Sequence, residues 1–272
     1  MKKTALIDAD IITYLAAYYS MSKFDDGEVW VDMASAKDEV HRVVEEWRLG
    51  AECEQVLMVL SPDDRTNYRS IVWPAYKTHR KSSNKPPHIG EVAQYIKDCY
   101  DWSMVSYLEG DDVMGIMHTR DPESTVIVST DKDMLTIPGS HYNPNKHTGC
   151  GVQTVSKAQA DHWLYTQVLT GDSTDGYKGV QRCGPVAAEK ILSELHGCDL
   201  VKGVPTYWHN PEAIHTAVLD AYERSGQGVS AFLENFAMAR ILTDDYYISD
   251  PKTVLLPTTE YGVNKELRLC TS

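Results

Sequence analysis

Short apolar runs that end in or precede acidic residues recur along the chain. They are TALIDAD (4–10), QVLMVLS (55–61), WSMVSYL (102–108) and TVIVST (125–130). Runs of this length and composition predict buried strands. Apolar residues with helical spacing follow the first run in IITYLAAYY, and recur at about 34–49, 88–99, 112–119 and 157–169. Strands that alternate with helices predict an α/β fold with a central, mostly parallel sheet flanked by helices.

Residues from about 176 onward have mostly helical patterns, interrupted by a glycine-containing turn at 179–185. No Gly/Ser-rich linker separates them from the predicted sheet. We therefore predict an α/β domain over residues 1–175 and a helical part over residues 176–272, packed on the same core as one compact unit.

The composition is that of an ordinary globular protein, since 42% of the 272 residues are hydrophobic. No apolar run approaches the roughly 20 residues of a membrane helix, and Asp8 and Asp10 interrupt the first run, which is therefore no signal peptide. We expect a cytoplasmic protein without a membrane partner.

The six cysteines lack metal-site spacing, so free thiols are expected. The net charge of −13 argues against a nucleic-acid partner unless basic residues are concentrated locally.

Acidic residues are expected to converge at one edge of the sheet, because parallel strands present their carboxyl ends together. Those ends hold Asp8, Asp64, Glu109, Asp111, Asp112, Asp131 and Asp133, and the stretch GDSTDG adds Asp172 and Asp175. We expect the 131/133 pair on one side of an extended backbone, and the 172/175 pair on one face if that stretch is helical. Two carboxylates about 4 Å apart repel by roughly 4 kcal/mol at an effective dielectric near 20, which a cation relieves. Mg²⁺ prefers oxygen ligands, and two such ions can clamp the attacking and leaving oxygens of a phosphodiester.

Each acidic group also has a purely structural interpretation. Asp111 or Asp112 could cap the helix that begins near Val113. The pairs 131/133 and 172/175 could be ordinary turn residues. The recurrence of acidic residues at matching strand ends favours a metal site.

The segment NYRSIVWPAYKTHRKSSNK (67–85) has five basic residues and no acidic one. They are Arg69, Lys77, Arg80, Lys81 and Lys85. The segment could be a solvated basic face, but in so acidic a chain it also offers a local attraction for phosphate. Lys77 and Arg80 share a face if the segment is helical, so together they could grip a phosphate. A second candidate for anion binding is the turn before Pro185, although glycine turns between helices are common.

Taken in this order, LEGDDVMG (108–115), DKDxxTIP (131–138) and GDxTDGYxG (171–179) resemble the 5′ nuclease superfamily of flap endonucleases and polymerase-associated 5′ exonucleases. The likeness is greatest to the 5′ to 3′ exonucleases of short-tailed lytic bacteriophages, and it runs from LIDAD (6–10) to MARIL (238–242). It implies Asp8 and Asp64 as strand-end ligands, with Asp10 and Asp63 as further candidates. The resemblance divides the remaining ligands between two Mg²⁺ ions, for which Mn²⁺ is expected to substitute: Glu109, Asp111 and Asp112 for one, and Asp131, Asp133, Asp172 and Asp175 for the other.

The resemblance also implies two DNA-binding elements. One is a helical arch at about 74–97, in which Lys77 and Arg80 contact the scissile phosphate, Tyr76 packs or stacks beside it, and Arg69, Lys81 and Lys85 add DNA contacts. The other is a helix-hairpin-helix element at 176–192 with Gly179 and Gly184, often assisted by K⁺. This chain differs from the family pattern at Arg182 and Val186, and Arg182 is expected to contact a phosphate directly.

The implied activity is hydrolysis of double-stranded DNA from 5′ ends, flaps or nicks, leaving a 5′-phosphate and a 3′-hydroxyl. An RNA·DNA hybrid is a further candidate substrate. The implied protein is a monomer that acts in phage DNA replication, primer removal and recombination in the host cytoplasm. Two alternatives stay open: an aspartyl-phosphate type phosphatase with Asp8 as nucleophile and Asp10 as acid/base, and a catalytically silent protein that binds DNA structures.

Overall fold

The computed structural model describes residues 2–23, 29–62, 67–78, 85–145, 151–193, 195–201 and 204–269. The chain forms two compact units. The first comprises Met1–Thr66, Lys81–Met134 and Gly139–Thr154, and the second comprises Asn67–Arg80, Leu135–Pro138 and Val155–Ser272. Residues 155–175 thus group with the C-terminal part. The predicted domain boundary after residue 175 stays a prediction.

Within the described residues, the helices and strands have the following bounds. The strands are β1 Thr4–Asp8, β2 Met21–Lys23, β3 Val29–Val31, β4 Gln55–Val59, β5 Trp102–Ser103, β6 Thr125–Val128, β7 Gly139–Tyr142, β8 Gln153–Val155, β9 His196–Val201, β10 Val204–His209, β11 Tyr247–Ile248, β12 Thr253–Pro257 and β13 Asn264–Arg268. The helices are α1 Ala9–Tyr19, α2 Met33–Gly50, α3 Tyr68–Val72, α4 Ile89–Cys99, α5 Gly110–Arg120, α6 Lys157–Thr170, α7 Pro185–Leu192, α8 Pro211–Arg224 and α9 Gly228–Ala239.

A six-stranded sheet is the main element of the first unit, with the order β5-β4-β1-β6-β7-β8. The pairings β5–β4, β4–β1, β1–β6 and β6–β7 are all parallel. The carboxyl ends of β1, β4 and β6 therefore lie side by side. The predicted α/β fold with a mostly parallel central sheet is confirmed.

The first unit is held by a core of alternating strand residues under three helices. Ala5 and Ile7 of β1 pack in one apolar cluster with Met58, Val128 and residues of α1, α2 and α4. Because side chains alternate along a strand, Leu6 and Asp8 lie on the opposite face of β1 from Ala5 and Ile7. Helix α5 contacts β1, β4 and β6.

The second unit has its own core of aromatic and aliphatic side chains. Tyr222 and Phe232 are fully buried, and Phe232 stacks on Phe236 with ring centroids 5.7 Å apart. Helices α6 to α9 surround this cluster. A hairpin of β9 and β10 and a three-stranded antiparallel sheet of β11, β12 and β13 complete the unit.

The sequence patterns located most of the long elements. The helices predicted at 34–49, 88–99, 112–119 and 157–169 correspond to α2, α4, α5 and α6. The strand predicted over 102–108 is wrong beyond Ser103, since Tyr107 has a left-handed φ of 69° and the chain turns there. The strands at 196–209 and 247–268 were not predicted, because their polar residues hide the alternation. No helix in the described part of the chain is both long and apolar enough to cross a membrane.

Candidate active site

Two serines connect acidic residues at the carboxyl edge of the sheet. The Ser129 hydroxyl, just after β6, donates to Asp8 Oδ2 at 2.9 Å, and Ser129 Oγ accepts from the Asp131 backbone N–H at 3.0 Å. Asp8 also caps α1, since its Oδ1 accepts from the Ile11 backbone N–H at 3.3 Å. One hydroxyl therefore fixes the end of β1 against the loop that carries Asp131.

The second connection runs from α1 to α5. The Asp10 carboxylate accepts from the backbone N–H of Ser61 with N···O distances of 3.1 and 3.3 Å. The Ser61 hydroxyl in turn accepts from the Gly110 backbone N–H at 2.9 Å. Four segments of chain, after β1, β4 and β6 and before α5, thus meet at one edge of the first unit.

Helix α5 begins with the acidic stretch at 109–112. Asp112 is fully buried, and its Oδ2 accepts from the Glu109 backbone N–H at 3.2 Å. Glu109 and Asp111 are half-buried. The helix begins at Gly110 rather than near Val113, with Glu109 as the N-cap, and Asp112 is the N3 residue of a capping box. This role is compatible with a second one, because a carboxylate has further lone pairs.

Negative charge is crowded at this edge. Burial, followed by the charges of Asp10 and Asp131, raises the pKa of Asp8 from its ordinary value to about 7, against the opposing hydrogen bonds from Ser129 and Ile11. A bound divalent cation would favour the charged form of Asp8 and offset the repulsion. The donor set consists of carboxylate oxygens, which suits Mg²⁺ or Mn²⁺ and not a thiolate-seeking metal.

The carboxylates lie near one another, but their side chains are not arranged around a common point. Among the residues that the structure describes, no three His, Cys, Asp or Glu side chains converge so that they could hold one ion. Asp64 and Asp63, two of the predicted ligands, lie outside the described residues, as do Arg80 and Lys81 of the predicted arch.

The loop after β6 departs from the predicted extended geometry. Asp131 is exposed and precedes a 3₁₀ turn, Lys132–Thr136, which contains Asp133. Asp131 Oδ1 accepts from the Asp133 backbone N–H at 2.8 Å, as in an ordinary Asx turn. The expectation that the two carboxylates lie on one side of an extended strand is wrong.

The second pair of predicted ligands lies in the second unit and is not helical either. Asp172 Oδ1 accepts from the backbone N–H groups of Thr174 at 2.6 Å and Asp175 at 3.3 Å, closing a turn between two glycines with positive φ, Gly171 and Gly176. The predicted shared helix face of Asp172 and Asp175 is therefore wrong, and the turn interpretation holds for their backbone.

Asp175 is also the partner of the predicted phosphate-binding segment. Tyr76 is buried and donates its hydroxyl to Asp175 Oδ2 at 3.1 Å, and Lys77 Nζ lies 3.5 Å from the same oxygen. Lys77 Nζ lies 4.8 Å from the centre of the Tyr76 ring. Residues 74–78 form a turn rather than a helix, so the predicted helix face for Lys77 is wrong.

The predicted DNA contact of Arg69 conflicts with its position. Arg69 is 2% exposed, and its guanidinium donates to the backbone carbonyls of Met238 at 3.3 Å and Arg240 at 2.8 Å. It also lies over the Tyr68 ring. Arg69 is therefore a structural residue of the second unit. Lys85, by contrast, is exposed.

Residues 171–184 form a glycine-containing loop, called the glycine hairpin below. In it, Gly171 packs against Gly179. A Cβ on Gly171 would lie 2.3 Å from the Lys178 carbonyl carbon, and one on Gly179 would lie 2.3 Å from the Gly171 nitrogen. Both residues also have positive φ, so glycine is required at each position for its backbone conformation as well as for the lack of space.

Protein acceptors already satisfy several amides of this hairpin. The N–H groups of Gly179, Val180 and Gln181 donate to Asn235 Oδ1, the Leu169 carbonyl and Gln227 Oε1. The expectation that these turn amides point at an anion is therefore wrong for these three. Arg182 is exposed, with a φ of 63°, and Lys178 is exposed too; both line one open groove with Gly184.

Three residues of the site were underrated from the sequence. Asp10 was a secondary candidate, although its charge helps to raise the pKa of Asp8. Ser61 and Ser129 were missed, and the available signal was that each follows an apolar strand, in LS and VST. Serine in that position is common enough that the signal is weak.

No family model matches the chain. The chain is 29% identical over 222 residues to the exodeoxyribonuclease of Enterobacteria phage T3, which covers 74% of this chain and 73% of that protein. It is 29% identical over 202 residues to the exonuclease of Escherichia phage T7, which covers 69% and 66%.

Solved structures share the fold at low sequence identity. The T5 D15 protein co-crystallised with metal ions matches with a TM-score of 0.60 and 11% identity, over 88% of this chain and 89% of that chain. The bacteriophage T5 D15 flap endonuclease in a pseudo-enzyme-product complex with DNA and metal ions matches with a TM-score of 0.53 and 15% identity, over the same shares.

The chain shares its fold with the T5 D15 structures and is similar in sequence to the exonucleases of phages T3 and T7, in agreement with the resemblance to the 5′ nuclease superfamily.

Proposed function

We propose that the protein is a metal-dependent 5′ to 3′ exonuclease with 5′-flap endonuclease activity on double-stranded DNA. The observation that carries the proposal is the meeting of Asp8, Asp10 and the start of α5 at the carboxyl edge of the sheet, joined through Ser61 and Ser129. The phage relatives named exodeoxyribonuclease and exonuclease support the activity. The T5 flap endonuclease complex with DNA and metal ions supports the substrate and the cofactor class.

The first-unit carboxylates are the proposed holders of two divalent cations, Mg²⁺ with Mn²⁺ as a substitute: Asp8, Asp64, Glu109, Asp111, Asp112, Asp131 and Asp133. We add Asp10 to this set because its charge raises the pKa of Asp8. Asp172 and Asp175 remain proposed ligands. Divalent cations at such sites lower the pKa of bound water and offset charge on a phosphodiester.

The protein's own groups supply orientation and charge. Ser129 holds the Asp8 carboxylate and the loop of Asp131 in one arrangement, so that neither needs to reorganise during the reaction. We propose that Lys77, with Arg80, offsets the charge that develops on the scissile phosphate. The Tyr76 ring and Asp175 fix the position of the Lys77 ammonium.

The exposed cations Lys178 and Arg182 are the proposed contacts to the duplex backbone, and the segment 176–192 is the proposed helix-hairpin-helix element. With a net charge of −13, the protein depends on such local contacts, so its affinity for duplex without ends is expected to be weak and salt-dependent. We further propose a monomer that acts in phage DNA replication, primer removal and recombination in the host cytoplasm, with RNA·DNA hybrids as a second substrate.

Digestion of a duplex labelled at its 5′ end or internally tests the activity. With Mg²⁺ we expect 5′-label to be released first, with 3′-hydroxyl ends left on the shortened strand, and no cutting in EDTA. Release of inorganic phosphate from a small monoester without any cutting of DNA would instead favour the phosphatase. A shift of 5′-flap duplex in Mg²⁺ without any shortening would favour the silent binder.

A further inference from the structure

One glutamine side chain spans the loop of the glycine hairpin. Gln227 lies between α8 and α9, and its Oε1 accepts from the Gln181 backbone N–H at 2.6 Å. Its Nε2 donates to the Gly179 backbone carbonyl at 2.9 Å. The two ends of the Gln227 amide therefore hold both a donor and an acceptor of the loop.

The hydrogen-bond network fixes the orientation of this amide. Exchanging the oxygen and nitrogen would set NH₂ against the Gln181 N–H, and a carbonyl oxygen against the Gly179 carbonyl. Only one of the two orientations satisfies the contacts with both Gln181 and Gly179.

This arrangement does not fit the K⁺ that the family resemblance implies at the hairpin. A protein-bound K⁺ takes carbonyl oxygens as ligands in place of its hydration shell. The Gly179 carbonyl here accepts an N–H of Gln227, so one of its two lone pairs is occupied and the partial positive charge of the NH₂ group beside it disfavours a cation. The Gly179 N–H is held too, by Asn235 Oδ1 at 2.9 Å. The chain's own side chains therefore fix the loop from both sides.

We propose that Gln227 is the positioning residue of the hairpin, and that its amide holds the loop in the DNA-binding form in place of a monovalent cation. The inference rests on the proposed function. Gln227 lines the same open groove of about 710 Å³ as Lys178 and Arg182, which supply the positive charge. Duplex binding should then respond to total ionic strength and not to which monovalent cation is present.

Fluorescence anisotropy of a labelled 5′-flap duplex tests the proposal, with Ca²⁺ in place of Mg²⁺ and KCl replaced stepwise by choline chloride at constant ionic strength. The Kd of the wild-type protein is expected to change less than about twofold over the series. Gln227→Ala is expected to raise the Kd about tenfold, since the hydrogen bonds to Gln181 and Gly179 are lost. Its cleavage rate at saturating DNA with Mg²⁺ should stay within about twofold, which separates positioning from chemistry.

Gln227→Glu gives a readout that a merely structural role would not move. Its carboxylate keeps an acceptor for the Gln181 N–H but sets a second oxygen against the Gly179 carbonyl, a pairing that a cation relieves. We expect weak binding in choline and recovery of at least about threefold in K⁺. The matched control is Gln55→Ala, because Gln55 is an exposed residue at the start of β4 whose side chain contacts Thr4. This control should bind as the wild type does.

A tenfold weakening of wild-type binding when choline replaces K⁺ would overturn the inference and leave the proposed function standing. A Kd for Gln227→Ala equal to that of Gln55→Ala would overturn it as well. If Gln227→Ala unfolds below the assay temperature, the binding of the wild-type protein in the cation series and the binding of Gln227→Glu still test the inference. A wild-type protein that neither binds nor cuts DNA in any salt contradicts the proposed function itself.

Discussion

The hydroxyl of Ser129 donates a hydrogen bond to the carboxylate of Asp8 at 2.9 Å, although the two residues are 121 positions apart in the chain. Parallel pairing of β1 with β6 brings them together, since Ile7 is in register with Val128. The same hydroxyl accepts from the Asp131 N–H. One small side chain thus connects two of the proposed metal-binding segments.

Ser129→Ala should therefore weaken the site without emptying it of carboxylates. We expect the cleavage rate to fall about tenfold and the Mg²⁺ concentration for half-maximal rate to rise, since loss of one buried hydrogen bond costs about 1 kcal/mol or more. A Mg²⁺ titration of the initial rate measures both. Ser193→Ala, at an exposed position, is the control, and equal behaviour of the two variants would contradict the role of Ser129.

Lys77→Ala tests the contribution of the ammonium held by Asp175 and Tyr76. The expected result is a cleavage rate about 100-fold lower, with a Kd for flap duplex in Ca²⁺ changed less than about threefold, because the charge acts mainly on the transition state. Single-turnover rates and anisotropy separate the two effects. Lys265→Ala, an exposed lysine of β13, should change neither, and equal losses in rate and affinity for Lys77→Ala would show a binding role only.

Gly171→Ala should destabilise the second unit more than Gly262→Ala. Both glycines have positive φ values, 73° and 79°, which strain any other residue, and the ψ of 175° at Gly171 belongs to a region essentially restricted to glycine, where the strain is about 1–3 kcal/mol. Only at Gly171 would the new Cβ also meet backbone, 2.3 Å from the Lys178 carbonyl carbon, which adds roughly 1–3 kcal/mol. Urea unfolding of the two variants measures the difference, and equal losses would contradict the close approach at Gly171.

Stability should depend on pH through His118 in the first unit. His118 Nδ1 donates to Thr125 Oγ1, which itself donates to the Asp121 carbonyl, so His118 Nε2 is the acceptor for the Ser140 N–H at 3.1 Å. Burial, and then the neighbouring His141, lowers the pKa of His118 from 6.5 to about 4. The unfolded chain therefore binds the proton more readily between these values.

It follows that the His118 contribution to the free energy of unfolding is fully present above about pH 6.5, and falls by up to about 3 kcal/mol as the pH drops to about 4. Urea unfolding at several pH values, compared with His118→Gln, measures it. The variant keeps a donor and an acceptor but does not titrate. Its loss of stability on acidification should be smaller, and parallel curves for the two proteins would contradict the assignment.

The sequence patterns were most successful where apolar periodicity decides the structure. β1, β4, β6 and the helices α2, α4, α5 and α6 all follow it, and strand order then brings the acidic segments to one edge. The patterns failed where local backbone chemistry decides. Asp172 and Asp175 were expected on a helix face, but Gly171 and Gly176 with positive φ close a turn there.

Burial of charged residues was the other failure, since charge alone does not reveal it. Arg69 was grouped with the basic segment, yet backbone carbonyls of Met238 and Arg240 hold its guanidinium in the interior. Those partners are about 170 residues away in the chain, so no local pattern could reveal them. The same applies to Gln227 and the hairpin loop, 46 to 48 residues apart.

The most direct test of the central claim, that the acidic edge holds cations for strand scission, is the cleavage rate of Asp112→Asn on a 5′-labelled duplex with Mg²⁺. Asp112 is fully buried, and the amide oxygen of asparagine can still accept from the Glu109 N–H, so the fold should persist. We predict a rate at least about 1000-fold below wild type, with binding of the same duplex in Ca²⁺ retained. Cleavage at the normal rate would contradict the claim.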